Sequence, residues 1–228
     1  MKHSGKARQA ALRLIFWTLA LLALLLVVGL LAKFVGWALI GMTLLMIVLW
    51  PLFAIFTLYF FRDPNPKVPT GPGLVVAPGH GKVDVIGETT EPEIMGGPCK
   101  RVSIFLSVFD VHVQNAPVAG EVSFFKYQTG KFLNALKTEC ASENENVLIG
   151  FAPEEKPGEK LAIRLVAGLI ARRIEPWVMA GDEVARGERI SLIQFGSRVE
   201  VYLPMSAQIE CRLGDKVVGG ETVIAKLN

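Results

Sequence analysis

Histidine and cysteine are scarce in this chain, with three of each among 228 residues. The histidines are His3, His80 and His112, one in the N-terminal tail and two far apart, too few for a histidine-rich metal centre. Cys99, Cys140 and Cys211 are odd in number and show no C-x-x-C spacing, which argues against a disulfide framework and against zinc. An excess of one charge sign is lacking too. A net charge of +3 with no Lys/Arg run leaves no footprint for nucleic acid. Long amphipathic helical patterns are absent after residue 74.

What the chain does have is apolar sequence concentrated at one end. Residues 14–32 carry no charge, Lys33 interrupts, and residues 34–61 are apolar again. A bilayer core needs about 20 apolar residues per helix, so each run is long enough to span once. A cleaved signal peptide is the competing reading. Against it, the first run is too long, no small-residue cleavage site follows, and a second run comes directly after. Lys2, Lys6, Arg8 and Arg13 precede the first run, and Arg62 and Lys67 follow the second. Positive-inside logic then puts both ends in the cytoplasm as a helical hairpin in the cell (inner) membrane. Trp17, Trp37, Trp50 and Tyr59 supply interface anchors. Pro64, Pro66, Pro69 and Pro72 form a stiff linker that ends any helix. The expected organisation is a membrane anchor over 1–61, a linker over 62–73 and a soluble domain over 74–228.

The soluble domain reads as strands at 74–76, 102–109, 111–113, 122–125, 161–167, 190–194 and 199–203. Residues 131–146 are the least strand-like and suit a helix or an active-site loop. An internal repeat, G-D-x-V-x-x-G-E-x-(I/V), begins at Gly181 and again at Gly214. Each copy places Gly where a tight turn needs a positive φ and then enters a strand. It resembles the turn–strand units of lipoyl- and biotinyl-type domains. Two copies are too few for a solenoid. The expected fold is all-β, or β-rich α+β, a pseudo-symmetric barrel-sandwich-like domain behind a transmembrane helical hairpin.

Chemistry is concentrated in Gln194-Phe-Gly-Ser-Arg-Val-Glu-Val-Tyr-Leu-Pro204. Gly196 leaves an unhindered carbonyl beside the Ser197 hydroxyl. In a strained turn, Ser197 Oγ can attack that carbonyl and exchange the amide for an ester. Elimination then yields dehydroalanine, which hydrolyses to a pyruvoyl group and ammonia. Gly-Ser alone is common in ordinary turns, so the pair by itself is a weak signal.

The surrounding residues resemble the processing site of short bacterial and archaeal phosphatidylserine decarboxylases. The resemblance continues through Phe60-Phe-Arg-Asp-Pro64, Ser103-Ile-Phe-Leu-Ser-Val-Phe-Asp-Val-His112, Ala116-Pro-Val-Ala-Gly120, Gly130-Lys-Phe-Leu-Asn-Ala135, Ser142-Glu-Asn144 and Ala167-Gly-Leu-Ile-Ala-Arg-Arg173. It implies autocatalytic cleavage between Gly196 and Ser197 into a β chain (1–196) and an α chain (197–228) that stay together as a heterodimer, with higher assembly left open. It implies a pyruvoyl cofactor derived from Ser197 that forms a Schiff base with the amine of phosphatidylserine, and a bilayer as the second partner. His112 matches the family's central histidine, the proton donor or carboxylate-positioning group. Asp110, two residues away on the expected strand, shares its face and is either its orienter or a surface acid.

Two positions depart from the family pattern. His80, in Pro78-Gly-His80-Gly81, stands where many members carry an Asp that supports self-cleavage. Asn115 stands where the longer enzymes carry a second histidine. His80 is then either a single base replacing an Asp–His pair or a turn residue. Arg172, Arg173 and Arg198 suit a lipid phosphate by guanidinium geometry, and Asn134 with Glu143-Asn144 line the site by resemblance. The rival readings are an uncleaved pseudoenzyme and a membrane-anchored lipoyl- or biotinyl-like carrier or adaptor. Against the carrier, neither repeat is paired with a Lys at a hairpin tip in a Met-Lys-Met or Asp-Lys-Ala setting.

Overall fold

The structure, a computed structural model, describes residues 5–31, 37–130, 144–168, 173–194 and 197–228. It divides into a helical unit, 5–63, and a β unit, 64–228.

The helical unit is α1 (Lys6–Leu31) and α2 (Trp37–Phe60). α1 starts earlier than the apolar run because 6–13, rich in Lys, Arg, Gln and Ala, favours helix as strongly as the leucines do. Large side chains such as Phe16, Trp17, Leu30 and Ile55 point outward on both helices. A helix that is apolar all round has no polar face to give to water, unlike the surface helix of a soluble domain. Trp50 Nε1 donates to Thr18 Oγ1 at 3.1 Å across the pair. At Gly29 a Cβ would sit 2.9 Å from Thr43 Oγ1, so the small residue permits close helix approach.

Among the described residues the β unit contains strands only. In chain order they are β1 (Leu74–Val76), β2 (Gly81–Glu91), β3 (Gly97–Leu106), β4 (Val113–Asn115), β5 (Gly120–Gln128), β6 (Asn146–Pro153), β7 (Leu161–Ala167), β8 (Ile174–Pro176), β9 (Glu183–Val184), β10 (Arg189–Ile193), β11 (Ser197–Leu203), β12 (Gln208–Ile209), β13 (Lys216–Val217) and β14 (Val223–Lys226). A curled eight-stranded sheet runs β13-β2-β3-β11-β7-β6-β5-β9, and two three-stranded sheets run β1-β14-β12 and β4-β10-β8. Alternate residues of the large sheet, among them Ile104, Ile163, Leu165, Val199 and Val201, bury into one core with Ile190, Ile193 and Ile224 of the small sheets. The result is β-rich, as expected, in the form of a half-barrel closed by small sheets.

The strand order reads the same from either end about an axis between β11 and β7. The two G-D-x-V turns supply the outer edges of the large sheet, β9 and β13. Gly181 N donates to Val122 O and Gly214 N to Val83 O, both at 2.8 Å. Gly187 N donates to Ala116 O and Gly220 N to Ala77 O, again both at 2.8 Å. A second repeat accompanies the first, Ala-Pro-x-x-Gly-x-Val at 77–83 and 116–122. Its glycines are obligatory. A Cβ would fall 2.2 Å from Phe105 O at Gly81 and 2.1 Å from Ala152 O at Gly120.

Residues 64–73 lie along the β unit rather than standing off as a spacer. Arg189, fully buried, donates to Asn65 Oδ1 at 2.9 Å, and Lys67 N donates to Glu221 Oε1 at 2.9 Å. Arg186 holds the Gly71 carbonyl at 3.0 Å and pairs with Glu155 at 2.7 Å. Val68 packs on Gly187 and Pro66 on Gly220, corresponding glycines of the two repeats. Both have positive φ, at 75° and 74°.

Candidate active site

Ser197 opens β11, facing Leu106 of β3 on one side and Ala167 of β7 on the other. It shares the parity of Val199 and Val201, so its side chain points to the core face. The residue is wholly buried, and no hydrogen-bond partner reaches its hydroxyl among the described residues. Leaving such a group unsatisfied costs about 1–3 kcal/mol and calls for an explanation in function. β10, which ends at Ile193, belongs to a different sheet from β11, which Ser197 opens. Gly196 itself lies outside the described residues, as do Asn134, Glu143 and Arg172.

His112 is tied to the end of β10, the strand that precedes Ser197 in the chain. Its carbonyl accepts from Ile193 N at 3.1 Å and from Gln114 Nε2 at 2.7 Å, and Ser191 Oγ donates to the other end of that amide at 2.7 Å. The imidazole is buried, with Nδ1 3.0 Å from Asp110 O. A carbonyl only accepts, so Nδ1 carries a proton and Nε2 is the nitrogen whose state changes. The expected strand through Asp110 is corrected here. β3 stops at Leu106 and residues 107–110 form a turn closed by Asp110, whose carboxylate accepts from Ser107 N and Oγ at 2.8 and 2.7 Å. Asp110 therefore orients His112 through its backbone carbonyl and spends its carboxylate on the turn.

The two departures from the family pattern, remote in sequence, are neighbours in space. A Cβ on Gly219 would meet Asn115 Oδ1 at 2.9 Å and His80 Cδ2 at 3.0 Å. The Pro78 carbonyl accepts from Asn115 N at 2.8 Å. Gly79 packs against Leu106 and Val199, the residues beside and two beyond Ser197. The Pro78–Gly79–His80 turn thus covers the core face next to the Ser197 row. In register, Lys82 faces Phe105 and Phe105 faces Arg198, which puts His80 and Gly81 two strands from Ser197. At usual strand spacing that is about 10 Å between Cα atoms.

On the other face of β11 the charged and phenolic side chains have partners. Arg198 is buried and forks onto Asp84 Oδ1 and Oδ2 at 2.8 and 2.6 Å, and also donates to Ser103 Oγ. Its charge is thereby met inside the chain, not presented to a lipid phosphate. Glu200 accepts from Tyr202 Oη at 2.6 Å and pairs with Arg101 at 3.4 Å. Burial first, then the Glu200 charge, pushes the Tyr202 phenol well above its ordinary range. Asn144, buried, donates to Ala167 O at 2.7 Å, the carbonyl of the residue facing Ser197. Arg173 is exposed, and its carbonyl accepts from Gln194 N. Among the described residues no cluster of metal-binding side chains occurs. The sequence reading missed Gln114 and Ser191, whose only signal was two polar residues in apolar short strands.

Comparison with known proteins agrees with this arrangement. Residues 53–225 match the phosphatidylserine decarboxylase family model. A phosphatidylserine decarboxylase proenzyme of Symbiobacterium thermophilum is 44% identical over 203 residues, covering 89% of this chain and 90% of the relative. The proenzymes of Desulfotalea psychrophila and Zymomonas mobilis subsp. mobilis are 44% and 43% identical over 75% and 74% of the chain, and over 79% and 70% of their own lengths.

Proposed function

The chain belongs to the phosphatidylserine decarboxylase family, and from that membership we infer its reaction: it decarboxylates phosphatidylserine to phosphatidylethanolamine and carbon dioxide. The observation that carries the reading onto particular residues is Ser197, a buried hydroxyl without a described partner at the start of β11. The residues present fit a pyruvoyl group made in place. Ser197 Oγ attacks the Gly196 carbonyl carbon, the C–N bond breaks, and the amide becomes an ester. Loss of the Ser197 Cα proton expels the Gly196 carboxylate, and water replaces the nitrogen as ammonia. The pyruvoyl group supplies an electron sink for the pair left when carbon dioxide departs.

The protein's own residues do the rest. His80, on the turn covering the Ser197 row, is the base for maturation, with Asn115 holding the turn through Pro78. His112 keeps one proton on Nδ1 against Asp110 O and uses Nε2 to deliver a proton to carbon after decarboxylation. The buried surroundings, with Leu106 and Ala167 on either side of residue 197, exclude water from it. The helical unit is a membrane hairpin, supported by two outward-facing apolar helices long enough to span. The flanking basic residues favour a cytoplasmic β unit. The two chains made by cleavage remain one heterodimer because β11 begins at the cut yet pairs along its length with β3 and β7.

The test is release of carbon dioxide from carboxyl-labelled phosphatidylserine by the full chain in detergent–lipid micelles. Wild-type protein should release it and Ser197→Ala should not. A wild-type chain that stays intact and inert would favour the pseudoenzyme reading, for which the His80 and Asn115 departures are the specific motive.

A further inference from the structure

Beside the Arg198–Asp84 pair lies a cavity of about 440 Å³ lined by Lys82, Val83, Asp84, Phe105, Leu213 and Gly214. Resting on the decarboxylase reading, we propose that this cavity is the subsite for the phosphodiester of the lipid substrate, with Lys82 as its positioning cation and Phe105 and Leu213 as the apolar wall for the glycerol end. The role first assigned by guanidinium geometry to Arg198 falls instead to a lysine two strands away.

Three observations converge on it. Lys82 is exposed, and among the described residues no hydrogen bond or ion pair engages its ammonium. Its neighbours set the sign of the cavity. Asp84 would repel a phosphate, but the buried Arg198 guanidinium grips both its oxygens, so Lys82, Asp84 and Arg198 together leave one positive charge. Beside it Arg212 and Asp215 are both exposed and of opposite sign, and the exposed Lys216, facing Lys82 in register, adds one further positive charge. The apolar wall is unusual as well. Leu213, at the cavity mouth, is 67% exposed, a large apolar side chain held toward solvent where a lipid would enter.

Position fits the substrate. Lys82, Phe105 and Arg198 form one register row, and Leu106 and Ser197 belong to the next. Lys82 thus sits one step and two strands from residue 197, about 10 Å between Cα atoms. In the headgroup only the serine Cα, Cβ and ester oxygen separate the amine nitrogen from phosphorus, and the lysine chain covers the remainder. Val83 faces the core, so Lys82 points to the opposite face from Ser197. At the serine Cα the carboxylate and the phosphate-bearing arm diverge, and the two faces accept one each.

The pseudo-twofold supplies an internal control. Lys82 corresponds to Glu121 in the second Ala-Pro-x-x-Gly-x-Val copy. Glu121 lies in the row of Ala152, at the far end of the sheet from Ser197. Of the two corresponding positions, the one nearer Ser197 carries the cation and the other an acid.

The experiment uses the full chain. In mixed micelles, Lys82→Ala should raise the KM for phosphatidylserine roughly tenfold while leaving kcat and the extent of self-cleavage unchanged, as loss of one charge-assisted contact does. Lys82→Arg should restore most of the loss, and Leu213→Asp should raise KM without altering cleavage. Binding of sn-glycero-3-phosphoserine and of inorganic phosphate to the uncleavable Ser197→Ala chain is measured alongside. The glyceryl headgroup should bind more tightly than phosphate alone and weaken roughly tenfold on removal of Lys82. Unchanged KM and unchanged binding in Lys82→Ala overturn the subsite. Equal binding of phosphate and glycerophosphoserine overturns the lipid assignment. Lys82-dependent binding by a wild-type chain that never turns over would keep the subsite and retire the decarboxylase reading.

Discussion

The two halves of the β unit are built alike and equipped differently. Residues 77–83 and 116–122 share one motif, make matching backbone bonds to matching repeat turns, and each lead into a long bulged strand. Yet His80 stands where the second copy has Ala119, Lys82 where it has Glu121, and His112 precedes β4 with Gly73 in the corresponding place before β1. The shared residues are those the backbone requires: glycines at close approaches and valines facing the core. Of the three positions that differ within the motif, two, His80 and Lys82, are those given roles in chemistry, and the third sets Gly79 against Val118. A duplicated scaffold thus separates what the fold needs from what the reaction needs.

The largest expected effect comes from removing an asymmetric residue. His112→Ala should still mature but lose about 100- to 10,000-fold in decarboxylation, the usual worth of a general acid or base, measured as carbon dioxide release from cleaved protein. Normal turnover would return the role to some other group. His80→Ala installs what the other half carries. It should slow maturation about 100-fold, seen as accumulation of intact chain on denaturing gels, while the fraction that does cleave turns over normally. Cleavage at the wild-type rate would make His80 a turn residue.

Substitutions in shared positions should affect stability alone. Gly187→Val and Gly220→Val each place a branched side chain at positive φ against Val68 or Pro66. Each should cost about 3 kcal/mol, or roughly 6–12 °C in thermal midpoint. Gly158→Ala also has positive φ but meets nothing within 4 Å, and should cost only about 1 kcal/mol. Equal losses at all three would mean that the 64–73 segment is not packed where described.

The smallest effect is a pH dependence. Tyr127 on β5 has its phenol pushed up to about 12, first by burial, then by its hydrogen bond to Glu145 and that carboxylate's charge, with Arg173 opposing. A raised value in the folded state favours the neutral phenol. The contribution is therefore complete below about pH 10, the unfolded value, and is lost as pH rises from there through about 12. Denaturant unfolding of Tyr127→Phe should show less decline over that interval than wild type. Parallel curves would remove the Tyr127–Glu145 contact.

Much of this was legible in the sequence. The sequence of 161–167 and 74–76 predicts strands with the bounds of β7 and β1, since branched apolar runs between turn residues leave little choice. The G-D-x-V repeat announced the pseudo-symmetry. Its companion at 77–83 and 116–122 was not recognised, because only Ala, Pro, Gly and Val recur and two of the intervening positions carry the functional differences. β2 escaped notice because its outer half alternates among Glu, Thr and Gly, and it is a partner strand, β3, that fixes it. The extension of the 102–109 run past Leu106 failed for a local reason: the Asp110 carboxylate caps a turn there, and apolar content cannot reveal that. For the site, Ser197, His112 and His80 are named through the resemblance of their motifs to the family's, since Gly-Ser or a lone His is a weak signal by itself. The engagement of Arg198 by Asp84 was invisible, since a bulge in β2 brings that acid into reach.

The central claim, that Ser197 is converted in place, is tested most directly by intact mass of the purified full chain under denaturing conditions. Two species should appear, corresponding to 1–196 and 197–228, the smaller lighter than a serine-initiated peptide by the mass of one ammonia and refractory to Edman degradation. A single species of full-length mass, or a small fragment beginning with an unmodified serine, would contradict it.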